Sequence, residues 1–218
     1  MGQARLGALS GAAAIALYVA GVLTIGTRPD FDAGPGEVAA FLDEHRRRVQ
    51  IGSAFFALAA PFLLWFLAIV GDTARDAIGR RAGTVALSCG LVFVILFLAD
   101  VTALAAAALR PAQVAAEPEL ASVLRDFEFM AMGMAAPAVT GMLCALGALA
   151  LREPALWPRW LALGAFVAAG LYMLRLATLF TTEGVLAADG PLGLYLPVAA
   201  LTAWVLVASA TLARRGTR

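Results

Sequence analysis

The sequence predicts an all-α protein: an integral membrane bundle of six helices, with one further amphipathic helix at its outer interface. Three observations carry this. The 218 residues are 62% hydrophobic and only 14% charged, with a mean hydropathy of +0.87, whereas soluble domains carry about 25% charged residues. Six stretches are apolar over about 20 residues or more, the length needed to cross a hydrocarbon core about 30 Å thick. The turns between them are short apart from the first, which leaves one transmembrane domain over 1–218 and no soluble one.

The first apolar stretch runs from about 6 to 26. It is too long for the core of a signal peptide and has no A-x-A pattern at its end, so it is a retained helix. Its G-x-x-x-G, Gly7 to Gly11, suits close helix packing. The connection TRPDFDAGPGEVAAFLDEHRRRVQ follows. Gly34, Pro35 and Gly36 break the chain, and Val38, Phe41, Leu42, His45 and Val49 then recur at helical spacing, which predicts an amphipathic helix over about 36–48. It reads either as a helix lying on the outer surface or as a lid over an opening between the spans. The remaining spans fall at about 49–71, 82–109, 124–151, 157–180 and 191–213.

Short cytoplasmic loops carry the excess of basic residues. With both termini inside, Arg5, Arg75, Arg80, Arg81, Arg152, Arg159, Arg214, Arg215 and Arg218 lie on that side, nine against six outside. All 16 basic residues are arginine. Lysine-free chains rich in Ala, Gly and Arg are typical of high-GC bacterial genomes, and the expected location is a bacterial cytoplasmic (inner) membrane.

Two ionisable residues lie well inside the spans: Asp100 in FLADVTAL and Arg175 in GLYMLRLATLF. Counted from Arg81 and Arg159 at the inner flank, their depths differ by about 5 Å at 1.5 Å rise per residue. An unpaired charge at such depth costs from about 2.5 to more than 10 kcal/mol. A direct Asp100 to Arg175 ion pair is therefore expected, with Asp126 and Glu128 as competing acids. The group reads as a structural lock, as a ligand site, or as a proton relay.

Pro61, Pro137 and Pro197 are expected to bend the second, fourth and sixth spans and to open space between them. Pro61 and Pro137 each follow two alanines, and the intervals Pro61 to Asp100 and Pro137 to Arg175 are 39 and 38 residues, the spacing of a parallel repeat. Met130, Met134, Trp65 and Tyr172 are the expected cavity lining, with methionine supplying adaptable apolar surface; ordinary helix packing is the competing use of the methionines. Cys89 and Cys144 read as small core residues.

Several chemistries are argued against. Without lysine there is no Schiff base. The one histidine, His45, cannot supply a bis-histidine haem within the bundle. Neither Ser53 nor Ser88 has a His or Lys base, and there is no phosphate-binding glycine loop. No catalytic residue, metal or cofactor is expected, and no nucleic acid partner.

The run LREPALWPRWLALGAF, with Trp157, Pro158, Arg159 and Trp160, reads as a tight turn with Trp157 and Trp160 as interfacial anchors. Taken with VAAFLDEHRRRVQIGSAFFALAAPFLLWFLAIV and RDFEFMAMGM, it resembles a family of uncharacterised six-span bacterial membrane proteins. The resemblance implies the architecture and no activity. The expected function is an outward-facing cavity that binds or passes a small amphipathic or lipid-like ligand, with membrane lipids as partners. The alternative is a structural or accessory subunit of a membrane complex.

Overall fold

The computed structural model describes residues 3–29, 33–74, 76–154, 157–181, 184–187 and 190–215. Every regular element among them is helical. The elements are α1 (Gln3–Ile25), α2 (Pro35–Glu44), α3 (Arg46–Asp72), α4 (Ala77–Leu109), α5 (Pro111–Ala116), α6 (Pro118–Met134), α7 (Ala136–Arg152), α8 (Arg159–Met173) and α9 (Leu196–Arg215). α8 continues as a 3-10 helix over Leu174–Leu179, and a π-helical turn over Pro191–Tyr195 leads into α9.

Six segments are long and apolar enough to cross a membrane: Arg5–Ile25, Arg46–Asp72, Ala77–Leu109, Val123–Arg152, Arg159–Leu179 and Pro191–Arg214. They are called the first to sixth spans below. Each packs on the spans before and after it in sequence, and α1 packs on α9, so the six form a closed ring. Residues of all six meet inside it. Phe66, Val139, Met142, Leu146, Leu161 and Leu212 belong to one apolar cluster and are at most 1% exposed.

One end of the ring carries both α2 and α5. There Ala39 and Leu42 of α2 and Val114 of α5 pack with Val101, Leu104 and Ala108 of α4 in a second apolar cluster. Two arginines tie this cap down: Arg46 Nη2 donates to Leu109 O at 3.0 Å, and Arg125 Nη1 donates to Ala33 O at 3.1 Å. The amphipathic segment thus packs across helix ends rather than lying free. At 33 residues α4 is about 50 Å long, well beyond a 30 Å hydrocarbon core. Its opposite end is fixed by Asp76, whose Oδ1 accepts from the Gly79 N–H at 2.6 Å and whose Oδ2 accepts from Arg152 Nη1 at 3.3 Å.

The prolines occupy three different settings. Pro61 sits inside an unbroken α3, where it removes one intrahelical hydrogen bond. Pro137 lies in the first turn of α7, just past the break at Ala135, and Pro197 lies at the start of α9 where the π turn ends. A proline in a first helical turn forfeits no intrahelical bond. The two Ala-Ala-Pro segments therefore differ in backbone setting, which weighs against an internal repeat.

Two other expectations are corrected. Trp157 is 3% exposed and meets Trp204 edge to face at 5.5 Å, so it is a core residue; Trp160, at 59%, does face outward. Cys144 is exposed, whereas Cys89 is half-buried with its Sγ against Gly141.

Candidate functional site

The site starts with a change in helix type. α8 gives way at Leu174 to 3-10 geometry, with three residues per turn and a rise of about 2.0 Å. The tighter winding turns Arg175 away from the azimuth that a continued α-helix would give it. Thr178 Oγ1 donates to Arg175 O at 2.8 Å, and Gly133 of α6 admits Leu179 and Thr178 where any Cβ would collide. Arg175 is 5% exposed. Among the described residues its guanidinium makes no hydrogen bond and no ion pair.

The expected Asp100 to Arg175 ion pair is therefore not made. The acid with a direct partner is Glu128, which accepts from Arg28 Nη1 at 3.2 Å. Arg28 follows the first span closely. Gly26 ends α1 with φ +78°, a left-handed conformation that glycine adopts without Cβ strain, and its N–H donates to Val22 O at 3.0 Å. The turn brings Arg28 to the fourth span. Glu128 and Arg28 both act electrostatically on Asp100, and Arg175 acts on it from the fifth span. Asp126 is exposed.

Two tyrosines join these charges. Tyr18 of the first span interacts with Tyr172, Arg175, Asp100 and Arg28, and Tyr172 with Arg175 and Asp100. In a ring whose neighbours are consecutive, the first, third and fifth spans do not touch along a shared face. The cluster lies toward the capped half of the ring, where Tyr18 and Phe97 border the second apolar cluster. Beside it stands an aromatic wall: Tyr18 lies 5.5 Å from Phe56 and 6.3 Å from Phe97, and Phe97 lies 5.7 Å from Phe56 and 5.9 Å from Phe93 by ring centroids.

Some buried polar atoms are sealed without a partner, Ser53 Oγ and Ser209 Oγ among them. The side-chain polar atoms of Asp100, Tyr172 and Arg175 also lack hydrogen bonds among the described residues. An unpaired buried ion is costly, and the opposite charges of Arg28 and Arg175 around Asp100 offset part of that cost.

The expected lining is mostly elsewhere. Tyr172, at 2% exposure, is inside, but Met130, Met134 and Trp65 are 52, 57 and 55% exposed and face outward. The buried methionines are Met132 and Met142. In a helix neighbours two apart point to different sides, so Met132 turns inward as Met130 and Met134 turn outward. Arg28 and Tyr18 are the participants that sequence reasoning missed. A signal existed for Tyr18, a phenol inside an otherwise apolar span; Arg28 resembled an ordinary loop arginine.

No family model matches the chain, and neither a curated protein nor a solved structure is significantly similar to it. Among the described residues no group of three or more His, Cys, Asp or Glu side chains is placed to hold a metal ion. The arrangement gathers two acids, two arginines and two phenols near an aromatic wall.

Proposed function

We propose that this chain is a multi-pass membrane protein of the bacterial cytoplasmic membrane whose ring of helices binds, or passes, a small amphipathic ligand in its capped half. The observation that carries this is Arg175, a 5% exposed cation without a partner among the described residues, beside an aromatic wall. A protein that used Arg175 only as a lock would gain from closing it onto Asp100. Leaving both groups without a hydrogen bond or ion pair among the described residues suits a ligand with a charged head and an apolar body, the head at Arg175 and Asp100 and the body along Phe56 and Phe97. In this reading the cap of α2 and α5 is the outer face and covers the mouth, with the termini in the cytoplasm.

The test is native mass spectrometry of the chain purified in mild detergent. A retained amphiphile at one per chain is expected, and it should be lost when Tyr18→Trp and Phe97→Trp together fill the space. A chain that retains none, and whose thermal stability added lipid leaves unchanged, contradicts the reading.

A second reading, a structural or accessory subunit, draws on one other feature. Between α8 and α9 lies an open apolar groove of about 270 Å³, lined by Trp160, Gly164, Val167, Ala203, Trp204 and Val207. Small residues at such a face suit helix association in lipid. Crosslinking from Val167→Cys to a neighbouring chain in the membrane would favour this reading.

A further inference from the structure

The groove between α8 and α9 has a shape that limits what can enter it. Trp204 of α9 donates from Nε1 to Leu161 O at 3.0 Å, and its Cδ1 would meet a Cβ on Gly164 at 3.6 Å. These contacts hold the two antiparallel helices together at one level, with Val207 toward the start of α8 and Ala200 toward Ala168. Small residues keep the face between them hollow: Gly164, Ala168 and Ala200 lie low, while Trp160, Val167 and Val207 stand exposed at the rims. From Trp160 to Ala168 the groove runs about 12 Å, at 1.5 Å rise per residue. Its volume of about 270 Å³, spread over that length, leaves a section about 5 Å across. A helix with its side chains is about 10–12 Å wide and would bridge the rims without entering. Carbon atoms in contact sit about 3.5–4.0 Å apart, so the groove admits one polymethylene chain.

A charge stands at the Trp160 end. Arg159 is exposed, and among the described residues it makes no hydrogen bond and no ion pair. It opens the fifth span, the level of the lipid headgroups, and Trp160 beside it is a ring of the kind enriched there. Resting on the multi-pass membrane reading above, but not on the interior site, we propose that this groove binds an anionic phospholipid from the leaflet at the start of α8. The lipid phosphate accepts hydrogen bonds from the Arg159 guanidinium, whose planar fork matches it. One acyl chain lies along Gly164, Ala168 and Ala200. Net negative charge is preferred because a zwitterionic head would bring its own ammonium up to the arginine.

The test titrates the full chain in detergent with phosphatidylglycerol and phosphatidylcholine of the same acyl chains, reading bound species by native mass spectrometry. In the unaltered chain phosphatidylglycerol should bind about fivefold more tightly, the contribution of one arginine near the membrane surface. Arg159→Gln should remove that preference. Ala203→Phe, at an exposed position in the groove, should fill it and weaken phosphatidylglycerol by about tenfold or more. The comparison of the two lipids uses the unaltered chain, so the proposal is tested even if a variant fails to fold. Equal affinity for the two lipids, or undiminished binding by folded Ala203→Phe, overturns the proposal. Loss of phosphatidylglycerol from the Tyr18→Trp, Phe97→Trp variant alone assigns the lipid to the interior, which overturns the groove site and leaves the interior reading standing. Loss from Ala203→Phe alone supports the groove, whatever the interior binds. Crosslinking of Val167→Cys to a second chain, with no phosphatidylglycerol bound, overturns the lipid in favour of a protein neighbour.

Discussion

At the scale of single residues, what distinguishes the interior is which polar groups are sealed and which are left open. Ser209 Oγ is buried without a partner, so Ser209→Ala removes an unsatisfied group, and thermal denaturation should find stability unchanged or raised by up to about 1 kcal/mol. Trp204 is the opposite case: its Nε1–H donates to Leu161 O at 3.0 Å. Trp204→Phe keeps most of the ring but loses that bond, and the same assay should register a loss of about 0.5 to 1.5 kcal/mol. The Arg28 to Glu128 bridge is partly exposed on the arginine side, at 38%, and a double-mutant cycle of Arg28→Ala and Glu128→Ala should give a coupling of at most about 1 kcal/mol. The sequence pointed to Asp100 and Arg175 because a charge inside an apolar run is visible by inspection. It did not reveal that they stay apart, because that depends on the 3-10 winding at Leu174 and on Arg28 reaching Glu128 across 100 residues of chain.

At the scale of elements, the close approach of α3 and α4 rests on glycines facing each other. A Cβ added at Gly83 would lie 2.7 Å from Gly71 Cα, against backbone that has no rotamer to change. Gly83→Ala should therefore force the helices apart and cost about 1 to 3 kcal/mol in a denaturation experiment. Gly170, with nothing within 4 Å, is the control: alanine there should be neutral or stabilising by up to about 1 kcal/mol, through helix propensity. The six long apolar helices were legible because hydropathy over 20 residues is a strong signal. The short α5 was not, since it is set by how neighbouring helices pack. Outward-facing Met130 and Met134 make the same point. Composition marked the fourth span as adaptable, but only its position in the ring decides which face looks inward.

At the scale of the whole molecule, the account is a closed ring of helices divided in two. The half near the termini is filled by an apolar cluster of Phe66, Met142, Leu146 and Leu212 that also takes in Tyr172, while the capped half holds Tyr18, Asp100 and Arg175. The order of packing around the ring was not legible beforehand, because each span is apolar on several sides and periodicity does not name a partner. The division is the central claim, and thiol labelling tests it most directly. In a Cys89→Ala, Cys144→Ala background held in lipid nanodiscs, a charged, membrane-impermeant thiol reagent should modify the Asp100→Cys variant readily and leave the Leu146→Cys variant unmodified. Equal reactivity at the two positions, or an inert Asp100→Cys variant, would contradict the account.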